Sequence, residues 1–181
     1  MSIFSTIFNS VNLELPKFNT LDEGVDFVVP YVAMFSERLS EQKLYMDKRW
    51  LEVRDDINFQ ENILHVFKEG GVYLRILEGD IATGNWELNL GGFILKFGGK
   101  NELFELVFLN EDYFILKKHG NQTLKGHKKY FVIVREGLAR RKEWIDLLEI
   151  LFQIYRGNTN YIAVVVLLFF VVAIIVFFSL L

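Results

Sequence analysis

The spacing of apolar residues changes along the chain and divides it into four segments. Between positions 46 and 135, short runs rich in β-branched and aromatic residues alternate with polar dividers, which is typical of strands. On both sides of that region, apolar residues recur at helical spacing, and an uninterrupted apolar run follows. The predicted segments are 1–44 (helix and loop), 45–136 (β-barrel domain), 137–157 (amphipathic juxtamembrane helix) and 161–181 (transmembrane helix).

The central segment predicts eight strands with tight connections. Alternation of apolar and polar side chains is clearest in residues 86–90 and in Phe104, Leu106 and Phe108. No connection is long enough for the crossover helix that parallel neighbours need, so the strands are expected to be antiparallel. Eight strands can close on themselves and thereby remove their exposed edges. The predicted strands lie near 48–54, 62–68, 72–78, 84–90, 93–97, 102–109, 112–118 and 128–135.

The fold class is therefore mainly β: an eight-stranded antiparallel up-and-down barrel with flanking helices and one C-terminal transmembrane helix. Before the barrel, Thr20 and Glu23 form a capping box, and Pro30 interrupts the helical pattern that follows. After the barrel, residues 137–156 carry a broad apolar stripe. That second helix could pack on the barrel, or it could lie on the inner leaflet with its basic residues near anionic headgroups.

Residues 161–181 are 21 consecutive residues without a charge. At about 1.5 Å per residue, a helix of this length matches the roughly 30 Å hydrocarbon core of a bilayer. The N-terminus lacks the features of a signal peptide, and the flanking basic residues all precede the span, so we expect a tail-anchored, single-pass protein of the cell (inner) membrane. The positive-inside rule places the N-terminal domain in the cytoplasm. The expected membrane-interface residues are Arg140, Arg141, Lys142, Trp144, Arg156 and Tyr161.

Composition and charge exclude several kinds of chemistry. Twenty basic and 23 acidic side chains give a net charge of −3, which argues against nucleic acid as a partner. The chain has no cysteine, so it has neither disulfides nor thiolate chemistry. His119 and His127 flank a polar loop, and the histidine spacing matches no standard zinc site. Acidic pairs at 55–56 and at 102 and 105 lie at predicted turns or strand ends, where solvated charges are expected. We predict no enzyme, no metal and no cofactor.

Three elements, taken in order, suggest a family. Lys48-Arg49-Trp50 opens the first strand, Arg135 ends the last, and a helix at 138–155 follows. This order resembles that of small bacterial lipocalin-like domains, in which an early Trp closes the barrel floor and a late Arg packs across its ring. The resemblance implies that Trp50 and Arg135 form a structural pair at the barrel floor through a cation–π contact. Lys48 stands where the family has a Gly two residues before the Trp, and the family's second motif has no equivalent here.

A second resemblance competes with the first. Residues 131–134, followed by Arg141-Lys142-Glu143-Trp144-Ile145, look like the end of a pleckstrin-homology domain. That fold has seven strands and a closing helix that carries a buried Trp. It would imply a lipid- or protein-binding module, although the chain lacks a strongly basic first hairpin.

Two classes of function remain open from the sequence. In the first, a membrane-anchored, non-enzymatic binding or sensing protein holds a small or apolar ligand in the interior or open end of the barrel, lined by Trp86, Leu88, Phe104 and Phe108. In the second, an interaction or effector protein of a bacterial defence-type system clusters its tails and perturbs the membrane when the barrel is engaged. The expected partners are the lipid bilayer, a small ligand and a homo-oligomer formed through the transmembrane helix, which has no Gly-x-x-x-Gly face.

Overall fold

The computed structural model describes residues 15–56, 61–89, 91–120, 128–157, 165–172 and 174. Eight antiparallel strands form a closed barrel in which each strand pairs with the next in sequence and β8 pairs with β1. The strands are β1 (Trp50–Glu52), β2 (Ile63–Phe67), β3 (Val72–Leu77), β4 (Asp80–Asn89), β5 (Gly92–Phe97), β6 (Lys100–Leu109), β7 (Tyr113–Lys118) and β8 (Tyr130–Arg135). The predicted eight-stranded antiparallel barrel is confirmed, and its eight strands differ from the seven of a pleckstrin-homology domain.

Two-residue turns with left-handed backbone join several strands directly. Glu78 and Gly79 have φ values of 50° and 97°, and Gly98 and Gly99 have values of 58° and 75°. Two consecutive positive φ angles match the twist of a tight hairpin, so the partner strand resumes at once. For this reason β4 begins at Asp80 and not near position 84, where the sequence pattern placed it.

One end of the barrel is closed by the chain that precedes β1. Residues 36–49 cross this end, held by hydrogen bonds from the Glu37 N–H to the Leu109 carbonyl (2.8 Å) and from the Asp47 N–H to the Phe67 carbonyl (2.8 Å). The fully buried Tyr45 ring stacks on Phe114 with centroids 5.0 Å apart. We call this the plugged end, and the opposite end, where the turns 78–79 and 98–99 lie, the distal end.

Aromatic side chains fill the interior next to the plug. Their rings contact one another with centroid separations of 5.0–6.3 Å, in mostly edge-to-face and stacked arrangements. These residues are Tyr45, Phe67, Trp86, Phe93 and Phe114. The plugged half of the barrel is therefore a packed core.

Among the described residues, three α-helices flank the barrel: α1 (Leu21–Val32), α2 (Glu136–Ala139) and α3 (Trp144–Arg156). The helices α1 and α3 pack on each other and on the outer faces of β7 and β8. The Tyr113 hydroxyl donates to the Leu147 carbonyl at 2.8 Å, tying β7 to α3. The apolar stripe of α3 is thus buried inside the protein, with Leu147, Leu148, Leu151 and Phe152 almost fully covered.

The predicted transmembrane segment lies largely outside the described residues. Residues 165–172 and 174 are helical, and their large apolar side chains from Val166 onward are exposed. In the part of the chain that the structure describes, no helix is both long enough and apolar enough to cross a membrane.

Candidate functional site

The four side chains predicted to line a ligand cup mostly belong to packed cores. Trp86 stacks on Phe93 (centroids 5.6 Å apart), and its Nε1–H donates to the Lys68 carbonyl at 3.0 Å. Phe104 is buried against Phe131, and Leu88 packs, partly buried, on the interior cluster. These rings contact other rings, which leaves little of their surface for a ligand.

Phe108 does not line the interior with the other three residues. The strand register shifts between Leu106 and Phe108, so the inward alternation along β6 passes from Leu106 to Leu109. Phe108 is fully buried in the outer cluster formed with the helices. The expectation that Phe108 lines the barrel interior is therefore wrong, and the irregularity in the pairing of β6 with β7 is the reason.

The structure brings Trp50 and Arg135 together. They are direct partners in the β1–β8 register, and the Arg135 guanidinium carbon lies 5.7 Å from the centroid of the Trp50 ring. The fully buried indole donates its Nε1–H to the Tyr45 carbonyl at 3.0 Å. The pair lies at the plugged end, where Trp50 connects residues 36–49 (the plug) to the β1–β8 pairing that closes the barrel (the seam).

The residues expected at a membrane interface occupy different environments. Arg140, Arg141 and Lys142 are exposed before α3, and Arg140 pairs with Glu136 at 2.6 Å. Trp144 is half-buried against the outer core, Arg156 binds Glu149 at 2.7 Å, and Tyr161 lies outside the described residues. The 13 residues of α3 span about 20 Å, so the basic run and Arg156 lie at opposite ends of this helix.

The side chains that stand out are polar groups inside the distal half of the barrel. His65 on β2 faces Arg75 on β3 in the strand register, and Glu52 ends the short strand β1. His65 contacts Phe131 (centroids 5.0 Å apart) and stacks on Tyr73 (5.9 Å), which places it among the inward side chains. We call Glu52, His65, Tyr73 and Arg75 the distal cluster.

Hydrogen bonds connect three members of this cluster in a chain. His65 Nε2 lies 3.1 Å from Glu52 Oε2, and His65 Nδ1 lies 2.6 Å from the Tyr73 hydroxyl. The other oxygen of Glu52 accepts from Arg54 Nε at 2.7 Å. Because an ionised carboxylate only accepts, Nε2 carries the proton of a neutral His65, and Nδ1 accepts from the Tyr73 hydroxyl.

Burial and hydrogen bonding set the protonation states of the cluster. Burial raises the pKa of the Glu52 carboxyl, but hydrogen bonds from His65 and Arg54 outweigh it and bring the pKa down to about 2. Burial lowers the pKa of His65, and the Glu52 carboxylate offsets only part of that effect. At neutral pH the cluster therefore holds an ionised Glu52 beside a neutral imidazole.

The chain Tyr73–His65–Glu52 has the order of a nucleophile, a base and an orienting acid. A nucleophile needs access to substrate and a lowered pKa, and Tyr73 has neither. Its side chain is fully buried, and burial, followed by the Glu52 charge, raises the pKa of its hydroxyl. The arrangement fixes proton positions and the orientation of rings inside the barrel.

Solvent reaches the distal cluster beside β4. Ala82 is the register partner of Arg75 and shares its inward face, yet it is exposed. The next inward position is Gly84, where an added Cβ would lie 3.0 Å from Tyr73 and 3.1 Å from Phe97. The rings of Tyr73 and Phe97 therefore fill the space over Gly84, and the exposed part of Arg75 lies next to Ala82.

A groove of about 320 Å³ lies on the outer face of the barrel, over β5 and β6. Ile94 and Leu103 form its apolar floor. Glu105 and His119 form a polar rim, with His119 Nδ1 2.9 Å from Glu105 Oε1. The helices cover a different part of the wall, so this groove faces solvent.

Sequence reasoning missed the distal cluster for two physical reasons. The strand β2 is buried along its whole length, so it shows no alternation that would assign His65 to a face. Glu52, Tyr73 and Arg75 each look like ordinary strand residues. Pairing the predicted strands in register, which sets His65 opposite Arg75, would have placed these residues on one face.

Within the described ranges, no three His, Cys, Asp or Glu side chains converge to hold a metal ion. No protein-family model matches the chain, and no curated protein or solved structure is significantly similar to it.

Proposed function

We propose that this chain is a membrane-anchored, non-enzymatic binding or sensing protein whose lipocalin-like barrel receives a small ligand at its distal end. The observation that carries the proposal is the division of the interior. Aromatic rings fill the plugged half, whereas the distal half also holds Glu52, His65 and Arg75, beside Phe97 and Phe131. Burying charged and polar groups is unfavourable compared with an apolar core, and perturbed titratable groups cluster at functional sites. An eight-stranded barrel can hold one small ligand.

The lipocalin-like assignment is supported by three features that occur in the expected order. The strands follow one another around a closed barrel, Trp50 and Arg135 meet across its seam, and a helix follows the last strand. The proposed cytoplasmic side of the membrane rests on the basic residues before the apolar stretch 161–181.

A matched pair of variants on β4 tests the binding proposal. Ala82→Trp would place a large ring on the inward face next to Arg75, whereas Ile81→Trp adds the same ring to the outer face, where Ile81 is 64% exposed. Native mass spectrometry of the full chain, extracted from its own cells, should show a bound small molecule on the wild type and on the Ile81 variant but not on the Ala82 variant. Equal occupancy in all three proteins, or no bound molecule in any of them, would count against the proposal.

A second candidate is the interaction or effector class, and the outer groove favours it. Ile94 and Leu103 give that groove an apolar floor on a part of the wall that faces solvent, as a partner-binding surface requires. Because the chain has no cysteine, Leu103→Cys introduces a single thiol for crosslinking in native membranes. Crosslinked species that depend on this thiol would support the second class, and purely monomeric protein would count against it.

A further inference from the structure

We propose that the plugged end of the barrel rests on the lipid bilayer through an apolar tip formed by residues 30–35. This inference rests on the proposed membrane anchor and adds the surface by which the folded domain contacts lipid. The tip lies where α1 ends and a 3₁₀ turn (Ala33–Phe35) follows. It contains Met34, which is 75% exposed, more than any other large apolar residue in the part of the chain that the structure describes.

The helices α1 and α3 run side by side in the same direction, so their C-terminal ends lie together. Their contacts advance along both helices in step, in the pairs Gly24–Leu148, Phe27–Phe152 (ring centroids 6.2 Å apart) and Tyr31–Tyr155 (5.3 Å apart). Extending this register by one turn sets residues 33–34 level with Gly157, which directly follows α3. The tip therefore lies beside the point at which the chain leaves the domain.

That exit point is close to the proposed membrane span. The apolar stretch 161–181 begins four residues after Gly157. An extended chain covers at most about 3.5 Å per residue, so Gly157 lies within about 14 Å of Tyr161. The headgroup region adds roughly 5–8 Å on each side of the hydrocarbon core. A tip level with Gly157 can therefore reach the membrane surface when residues 161–181 span the bilayer.

Hydrogen bonds hold the tip in place between α1 and the barrel. The Leu109 N–H donates to Ser36 Oγ at 3.0 Å, and the Glu37 N–H donates to the Leu109 carbonyl at 2.8 Å. These bonds tie the chain that follows Met34 to the end of β6. Because residues 36–49 cross the plugged end, a tip that rests on lipid turns this end towards the bilayer and the distal cluster away from it.

The composition of the tip suits lipid better than an ionic partner. Its exposed or half-exposed residues are Pro30, Tyr31, Ala33, Met34 and Phe35. Tyrosine is enriched at the membrane–water interface, and apolar side chains can enter the boundary between headgroups and acyl chains. The exposed charges of Glu37 and Arg38, next to the tip, cancel each other. Contact would therefore come from apolar burial and would depend little on salt.

Single-cysteine variants of the full chain, labelled with bimane and reconstituted in phosphatidylcholine vesicles, test this inference, since the natural chain has no cysteine. The Met34→Cys label should lose fluorescence when part of the lipid carries a 5-doxyl quencher. Ile81→Cys is the matched control, because Ile81 is an exposed apolar residue (64%) that follows the distal turn 78–79. Its label should keep its fluorescence. High salt should leave both results unchanged.

A third label, at Val166→Cys, separates this inference from the anchor on which it rests. It should be quenched if residues 161–181 lie in the bilayer. If the Val166 label is quenched and the Met34 label is not, the anchor stands, and the tip faces water or a second copy, which overturns the inference. Quenching at both Met34 and Ile81 also overturns it, because the domain then contacts lipid without a preferred end. An unquenched Val166 label would remove the proposed anchor and the inference with it.

Discussion

At the scale of single residues, the buried charge of Glu52 is what makes the barrel interior sensitive to protons. Glu52 stays ionised because His65 and Arg54 donate to it, and His65 stays neutral because it is buried. In the acidic range, the unfolded chain protonates both side chains at a higher pH than the folded chain does, so protonation and folding are linked. The distal cluster therefore adds to the pH dependence that the lowered pKa values of Asp26 and Asp55 also give the domain.

We predict that the free energy of unfolding falls as the pH drops below about 6.5. Because the pKa of His65 is lower in the folded than in the unfolded chain, the unfolded chain takes up a proton on His65 at a higher pH than the folded chain does. Stability that is fully present above about pH 6.5 is therefore lost as the pH falls below it. The fall should steepen below the ordinary Glu value of 4.5 and continue towards 2, because the folded pKa of Glu52 is about 2. Urea midpoints measured at a series of pH values test this.

His65→Gln is the matched variant for the pH series. Glutamine can still donate to Glu52 and accept from Tyr73, but it does not titrate. The decline between pH 6.5 and 5 should become shallower in this variant, while the decline below pH 4.5 persists. Identical profiles for the two proteins would show that His65 does not carry the upper part of the effect.

Trp50→Ala should reduce the free energy of unfolding by about 3–5 kcal/mol, the usual range for a large buried aromatic. The substitution removes a fully buried ring, its hydrogen bond to the Tyr45 carbonyl and the surface under Arg135. Denaturant unfolding measures the change, and Trp144→Ala, at a half-buried position, is the comparison. If Trp50→Ala lowered the free energy of unfolding no more than Trp144→Ala does, the result would contradict a role of Trp50 at the barrel floor.

At the scale of elements, the sequence predicted strands well and side-chain directions less well. Gly-rich turns and alternating apolar residues located all eight strands, because both signals are local. The irregularity near Phe108 and the uniformly buried β2 depend on partners elsewhere in the chain, and no local pattern encodes them. The same holds for the plug: Tyr45 follows no periodic pattern, yet its ring sits at the centre of the packed half.

The packing of α1 on α3 predicts that Gly24→Ala changes stability in the opposite direction to a typical Gly→Ala substitution in a helix. Gly→Ala in a helix interior ordinarily stabilises by about 1 kcal/mol. A Cβ on Gly24 would overlap the Cδ1 atom of Leu148, which is itself buried and has little room to move. Gly24→Ala should therefore destabilise the protein by about 1–3 kcal/mol.

Gly137→Ala is the control for the helix pair. Gly137 also lies in a helix, but an added Cβ there would meet no atom within 4 Å. Thermal unfolding should show a lower midpoint for the Gly24 variant and an unchanged or higher midpoint for the Gly137 variant. A stabilised Gly24 variant would mean that the two helices do not pack as closely as described.

At the scale of the whole molecule, the domain and the apolar stretch that follows it have separate roles in the proposal. The apolar face of α3 is buried against the barrel and α1, so it is already covered by protein. Membrane attachment is then assigned to residues 161–181 and not to an interfacial helix.

The proposed topology predicts protection from external protease. In spheroplasts, protease added outside should leave residues 1–155 intact, and inside-out vesicles should lose them. Detergent lysis is the control that shows the cleavage sites are accessible. Digestion of the domain in intact spheroplasts would reverse the topology.

The seam between β1 and β8 has a consequence for how the chain is made. The two strands are separated by nearly half of the sequence, and β8 is the last strand to leave the ribosome. Sheet closure must wait for it, so this contact of long sequence separation forms late and slows folding. During that interval β1 has an unpaired edge. Because β1 is only three residues long, the growing chain offers little backbone for mistaken pairing with other nascent chains.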